Sequence, residues 1–197
     1  VSSISKTSSS PIVKSSLTVT GSKFTNLANT KVFLVNSTGA RVYELTVTAV
    51  TSTEIQCILG GGRSGAYNVV VVDSVAGQSE TNANTLFNYE LIVDSVSPQS
   101  GSLGGGYDIT ITGRNFGTAD THTVFVGNAE NMVCTIKTAT ATQIVCTVPR
   151  IDPSYNSGTN VTVVVTARLL EESVCKGDCN FAYNEAVTNN VTVPTLL

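Results

Sequence analysis

Residues 92–116 read Ile92-Val-Asp-Ser-Val-Ser-Pro98-Gln-Ser-Gly101-Ser-Leu-Gly-Gly-Gly106-Tyr107-Asp-Ile-Thr-Ile-Thr112-Gly113-Arg-Asn-Phe116, and the stretch has a counterpart upstream. Val1-Ser-Ser-Ile-Ser5 matches Val93-Asp-Ser-Val-Ser97, and Leu17-Thr-Val-Thr-Gly21-Ser-Lys-Phe24 matches Ile109-Thr-Ile-Thr-Gly113-Arg-Asn-Phe116, both at an offset of 92 with no gap. A fixed internal period is the signature of a repeated structural unit. It divides the 197 residues into units of about 90 each, each long enough to bury a core of its own.

The period continues downstream. Thr51-Ser-Thr-Glu-Ile-Gln-Cys57 recurs as Thr140-Ala-Thr-Gln-Ile-Val-Cys146 at an offset of 89. Phe87-Asn-Tyr89 recurs as Phe181-Ala-Tyr183 at 94. The drift places insertions and deletions in loops, where they cost little. Between these anchors lie short runs of alternating or continuous apolar residues. In the first unit they are Leu17-Thr-Val-Thr20, Lys31-Val-Phe-Leu-Val35, residues 42–50, Glu54-Ile-Gln-Cys-Ile-Leu59, Tyr67-Asn-Val-Val-Val-Val72 and Leu86-Phe-Asn-Tyr89. In the second they are residues 107–112, 123–127, 132–137, 140–146, 160–165 and 181–183. Period two marks strands with one buried face. The 28 Val and 28 Thr residues favour the same state. Gly21 is expected to end its strand, with Phe24 returning to plug the core. Residues 6–16 read as a polar turn, and residues 167–173 as one helical turn at most. About seven short strands per unit, separated by Gly, Asn, Ser and Pro turns, predict an all-β chain of two tandem immunoglobulin-like β-sandwiches. The expected boundaries are 1–90, 91–184, and an extended tail or linker over 185–197.

With that pattern established, the second unit resembles the IPT/TIG domain family, an immunoglobulin-like fold of plexins, fibrocystin-like proteins and certain transcription factors. The matching residues are Val96-Ser-Pro98, Gly101, Gly104-Gly-Gly106, Ile109-Thr-Ile-Thr-Gly113, Asn115-Phe116, Ile144-Val-Cys146-Thr-Val-Pro149 and Phe181-Ala-Tyr183. The first unit departs from the pattern: Lys6 replaces the proline, Ile12-Val13-Lys14 occupies the glycine run, and Leu59 stands in the place of Pro149. The glycines of residues 101–106 are expected to take positive φ in a tight reversal. No helix follows them and no lysine has the spacing of a phosphate loop.

Five cysteines, Cys57, Cys134, Cys146, Cys175 and Cys179, suggest two local pairs with one left over. The resemblance implies that Cys134 and Cys146 staple adjacent strands; two buried thiols are the alternative. Cys175-Lys-Gly-Asp-Cys179 suits a small disulfide-closed turn. Cys57 aligns with Cys146, but its partner position falls near Leu45, so it is read as a buried free thiol or an intermolecular bridge. Sequons at Asn36, Asn160 and Asn190 are candidate N-glycosylation sites. Cysteines and sequons together favour an oxidising, extracellular or cell-surface setting. No leader is legible and Val1 falls inside a strand, as expected of a mature or excised piece.

Several chemistries find no support. His122, the only histidine, reads as a solvated loop residue beside Asp120, with no serine placed for a triad. Zinc lacks four convergent ligands, and regular calcium loops are absent. No catalytic residue, metal site or cofactor is expected. With 11 basic against 14 acidic residues the chain carries no footprint for nucleic acid. No apolar run reaches the roughly 20 residues of a membrane-spanning helix. The expected function is therefore a non-enzymatic structural or adhesive one, whose partners are further copies, neighbouring repeats and N-linked glycans. A surface filament built head to tail is one form of it. Residues 186–197 contain Val191 and Val193 at alternating positions, with Leu196 as a further anchor, suited to adding a strand to an open sheet edge; the plain reading is a linker into a further repeat. The alternative function is a ligand-binding segment of a receptor ectodomain.

Overall fold

The computed structural model describes residues 1–127, 132–151, 160–167 and 171–184. The chain separates into two units, Val1–Glu90 and Leu91–Leu197. In the first, the strands are β1 (Ser3–Ile4), β2 (Ser8–Ser9), β3 (Ser15–Thr20), β4 (Thr30–Val35), β5 (Arg41–Val50), β6 (Glu54–Leu59), β7 (Gly65–Asp73), β8 (Gly77–Gln78) and β9 (Leu86–Tyr89). They run in the order β1-β3-β6-β5-β4-β7-β9-β2, with β8 on β7. The ten-residue β5 makes the corner. Its N-terminal half pairs with β4 and its C-terminal half with β6.

The second unit contains β10 (Leu91–Ser97), β11 (Ser100–Ser102), β12 (Asp108–Arg114), β13 (His122–Val126), β14 (Val133–Ala139), β15 (Gln143–Thr147), β16 (Asn160–Ala167), β17 (Glu171–Asp178) and β18 (Asn180–Asn184). The order is β11-β18-β16-β13-β14-β15-β12-β10-β17, and β17 also pairs with β16. Here β14 makes the corner. Its bulge between Ile136 and Thr138 repeats the bulge between Val47 and Ala49 of β5 at the offset of 89.

Alternation supplies the core. Leu17, Val19, Val32, Leu34, Ile55, Cys57, Leu59, Val69, Val71, Phe87 and Tyr89 pack together in the first unit. Ile109, Ile111, Val124, Val126, Ile144, Cys146, Val148, Val163, Val165, Phe181 and Tyr183 are buried at the matching positions of the second. Phe24 and Phe116 plug the two cores as the repeat implied. The plug also explains the glycine before it. A Cβ at Gly21 would meet the Phe24 ring at 2.6 Å, and one at Gly113 would meet the Phe116 ring at 2.5 Å and collide with the Ile92 carbonyl. The expectation for the glycine-rich reversal holds only in part. Gly105 and Gly106 have positive φ, whereas at Gly101 the constraint is space, because the Tyr107 ring occupies the room of a side chain.

Four strands were not legible in sequence. β2 and β11 are short, polar edge strands that pair parallel to β9 and β18, so neither carries an alternating apolar face. β8 is a two-residue hairpin arm. β17 begins at Glu171, inside the stretch 167–173 read as one helical turn at most, of which residues 168–170 lie outside the described residues. It lies parallel to β10 and antiparallel to β16. Its Glu-Glu-Ser-Val-Cys-Lys-Gly-Asp sequence is mostly solvent-facing, so long-range backbone pairing, not propensity, decides its state.

Candidate interaction and modification sites

Cys134 on β14 and Cys146 on β15 are bonded across adjacent strands with Cα atoms 5.5 Å apart, and both are buried. Cys175 and Cys179 close the second bridge at 6.0 Å. Cys175 is exposed on β17 and Cys179 buried beyond its end. Cys57 is a free, buried thiol. It donates to the Leu17 carbonyl at 3.3 Å, and burial pushes its pKa up to about 12. A protonated, enclosed thiol is a poor nucleophile, and no route to an intermolecular bridge is open at this position without unfolding β6.

The loop after each plugging phenylalanine is anchored by one buried polar side chain, and sequence reasoning missed both anchors. In the first unit Asp73, at the end of β7, accepts from the Thr25 backbone N–H (3.1 Å), the Thr25 hydroxyl (2.7 Å) and the Thr30 hydroxyl (3.1 Å). Its other oxygen accepts from the Val75 and Ala76 N–H groups at 2.9 and 3.0 Å. The Ala76 N–H, the Thr25 hydroxyl and the remaining donors hold this carboxyl well below the usual carboxylate range. Asp73 thus ties together two loops that present Leu27 and Val75, 51% and 73% exposed.

In the second unit the equivalent of the Thr25 N–H is that of Gly117, and it donates to His122 Nε2. His122 is not the solvated residue expected. It opens β13, is 9% exposed and packs edge-on against Phe116 with ring centroids 6.1 Å apart. Its position matches Thr30, and Ala167, opposite it, matches Asp73. Burial is the main cause that lowers the His122 pKa, against smaller upward pulls from the Thr166 backbone and Asp120. Because Nε2 accepts a hydrogen bond, the ring proton resides on Nδ1.

Of the sequons, Asn36 lies in the β4–β5 turn and Asn160 is exposed at the start of β16. Asn190, Val191, Val193 and Leu196 lie outside the described residues. Among the described residues no cluster of three or more His, Cys, Asp or Glu side chains is arranged to hold a metal ion, and no helix is long and apolar enough to cross a membrane. An open groove of about 530 Å³ lies beside Leu27, Thr30, Lys31, Glu44, Leu45 and Val47.

The duplicated sandwich, its corner strand and its terminal aromatic pair are matched by a sequence profile described as the IPT/TIG domain, once over residues 1–89 and again over 91–183. The chain belongs to the IPT/TIG family. Mouse (Mus musculus) fibrocystin-L is 30% identical over 103 residues, covering 52% of this chain and 2% of that protein. Human (Homo sapiens) fibrocystin-L is 31% identical over 70 residues, covering 36% of this chain and 2% of that protein. The aligned part of the chain therefore covers about one-fiftieth of the length of these relatives. Among solved structures, the full extracellular region of plexin A4 aligns over 91% of this chain and 17% of its own, with a TM-score of 0.41 and 16% identity. The Bacteroides ovatus protein SGBP-B, solved with a mixed-linkage heptasaccharide, aligns over 85% of this chain and 39% of its own, with a TM-score of 0.38 and 19% identity.

Proposed function

We propose that this IPT/TIG pair is a non-enzymatic, extracellular structural or adhesive element that joins head to tail with further copies by strand addition. The observation carrying this reading is a difference between the first strands of the two domains. β10 is paired on both sides, by β12 and by the parallel strand β17. β1 pairs with β3 alone among the described residues. In the second domain β17 supplies the second neighbour as a full strand, whereas in the first the matching segment forms the 3₁₀ turn Ala83–Thr85 and meets the start of the chain through the Asn82 side chain, which donates to the Val1 carbonyl, without a strand ladder among the described residues. The sequence Asn190-Val-Thr-Val-Pro-Thr-Leu-Leu197 supplies alternating Val191 and Val193 for such a strand. A heterologous contact of this kind propagates as a filament wherever its rotation does not close into a ring. Two disulfides and three sequons support an extracellular setting.

Electron microscopy of the negatively stained protein tests the proposal. Continuous fibres that vanish in Val191→Asp/Val193→Asp protein are the expected result. Discrete particles at the same concentration overturn filament assembly.

A second reading is favoured by Leu27 and Val75. Two exposed apolar side chains on loops fixed by one carboxylate are suited to contacting a protein ligand, as in a receptor ectodomain. That reading predicts that Leu27→Asp reduces capture of such a ligand while fibres remain.

A further inference from the structure

The outer faces of the two sandwiches differ around one repeated aromatic. Phe33 of β4 and Phe125 of β13 occupy the same position at the offset of 92, and both point away from the core strands that flank them. Phe33 is covered by its own domain. The Arg41 guanidinium lies 4.7 Å above its ring, and a Lys31–Glu44 ion pair of 3.0 Å flanks it. Phe33 is consequently only 9% exposed. Phe125 has no charged neighbour in register. It pairs with Val164 on one side and with Val133, 39% exposed, on the other. The same face continues through the uncharged Asn160, Thr162 and Thr166 on β16 and Asn180 and Ala182 on β18, and the charged residue that joins it in register among the described residues is the exposed Glu172 of β17, opposite Thr166.

We propose that Asn160 carries an N-linked glycan, and that this glycan lies along the face over Val164 and Phe125, covering what Arg41 covers in the first domain. The argument is one of register. Successive side chains of a strand alternate between faces, and burial along β16 alternates accordingly: Val161, Val163 and Val165 are buried, while Asn160 and Thr162 are exposed and Val164 is half-buried. The sequon Asn160-Val161-Thr162 therefore presents its acceptor asparagine on the face of Val164 and Phe125. Strand rise puts Val164 about 13 Å from Asn160, within reach of the inner sugars. Between Asn160 and Val164 the face offers hydroxyls and an apolar strip, and Glu172, exposed and opposite Thr166, lies beyond that strip and stays in water when neutral sugars cover it.

The chemistry is ordinary amide glycosylation. Asn160 Nδ2 bonds to the anomeric carbon of a lipid-diphosphate-linked oligosaccharide. The bond from that carbon to the diphosphate breaks, the diphosphate leaves with the electron pair, and one amide proton passes to the transferase base. The proposal rests on the extracellular reading, which supplies the transferase.

Asn36 is the internal control. Its Oδ1 accepts from the Thr38 N–H (3.1 Å), the Thr38 hydroxyl (2.7 Å) and the Ala40 N–H (2.9 Å). Glycosylation at Nδ2 would keep all three bonds, but the site stands on an exposed turn beside a face already covered.

The test is secretion of the 197-residue chain from eukaryotic cells, deglycosylation in ¹⁸O-water and peptide mass mapping. Asn160 is expected to be occupied. Asn160→Gln should raise the fluorescence of the apolar-surface dye ANS several-fold at unchanged circular dichroism, Thr38→Ala should not, and adding Phe125→Ser to Asn160→Gln should reverse the rise. Asn36 modified with Asn160 bare overturns this proposal and leaves the extracellular reading intact. Both sites bare overturns both. Asn160 modified with ANS binding unchanged in Asn160→Gln overturns the placement of the glycan on the face.

Discussion

The two IPT/TIG domains share a hydrophobic skeleton position by position and hold it with different bonds. Cys134 and Cys146 are joined by a disulfide, while the matching positions in the first domain are Leu45 and Cys57, both buried with no bond between them. Cys175 and Cys179 match Thr81 and Thr85 at the offset of 94. In the first domain that segment contains a 3₁₀ turn at Ala83–Thr85, whose capping box has the Thr85 hydroxyl accepting from the Asn82 N–H and the Asn82 side chain accepting from Asn84. The repeated serine just before each closure keeps one role. The Ser79 hydroxyl accepts from Val71 and that of Ser173 from Val165. One apolar framework therefore tolerates covalent, hydrogen-bonded and purely apolar closures, because burial supplies the bulk of the stability and each closure adds only a local increment.

The largest way to break this equivalence is to remove the β14–β15 bridge. Cys134→Ala with Cys146→Ala is expected to cost the second domain about 3 kcal/mol by the chain-entropy account of a loop of this length. That corresponds to a fall of roughly 15 °C in its calorimetric transition, with the first domain's transition unmoved. Equal movement of both transitions would mean that the domains do not unfold separately. The smaller closures form the next pair. Cys175→Ser with Cys179→Ser should cost about 2 kcal/mol. Thr85→Ala, which removes the capping box, should cost about 1 kcal/mol. Urea titrations that found the two costs reversed would show that the hydrogen-bonded turn is the stronger closure.

Acid offers a gentler separation. His122 has a lowered pKa in the folded state against an ordinary value of 6.5 when unfolded, so the unfolded chain binds the extra proton first. The contribution is fully present above pH 6.5 and is lost as pH falls from there through the folded value. Protonated Nε2 would also place a second N–H against that of Gly117. Asp73 performs the same anchoring with a carboxylate held well below its usual range, so its contribution is fully present above the ordinary carboxyl value and is lost only as pH falls from there toward the folded value. The second domain should therefore lose thermal stability as pH falls just below 6.5, while the first does not until the ordinary carboxyl range is reached. A His122→Gln variant without that slope would confirm the source, and a slope that survives would locate it elsewhere. The smallest stability change is expected from Leu45→Cys, where a new bridge to Cys57 offsets lost leucine burial. Its readout is covalent: the one free thiol should disappear from denatured, unreduced protein. A persisting thiol would show that β5 and β6 hold a different register from β14 and β15.

The anchors show where sequence reading ends. His122 looked like an ordinary loop histidine beside Asp120, and Asp73 like the end of an apolar strand. Nothing local announces that the N–H of residue 25 or 117 needs an acceptor, because the need arises when Phe24 or Phe116 turns back over its glycine and takes that backbone out of water. β17 was hidden for a related reason. Its exposed, charged sequence has no face to bury, and only the edge of β10 makes it a strand.

By itself, the sequence determined the repeat, the all-β class, the alternating core and the IPT/TIG family, because those depend on periodicity and on residues whose spacing is local. Tertiary structure alone decided which polar side chain caps each loop, that β17 joins β10, and that Asn160 shares a face with Phe125. Each of these is a meeting of strands distant in the chain, fixed by register, and a shift of one residue in pairing would move every such side chain to the opposite face.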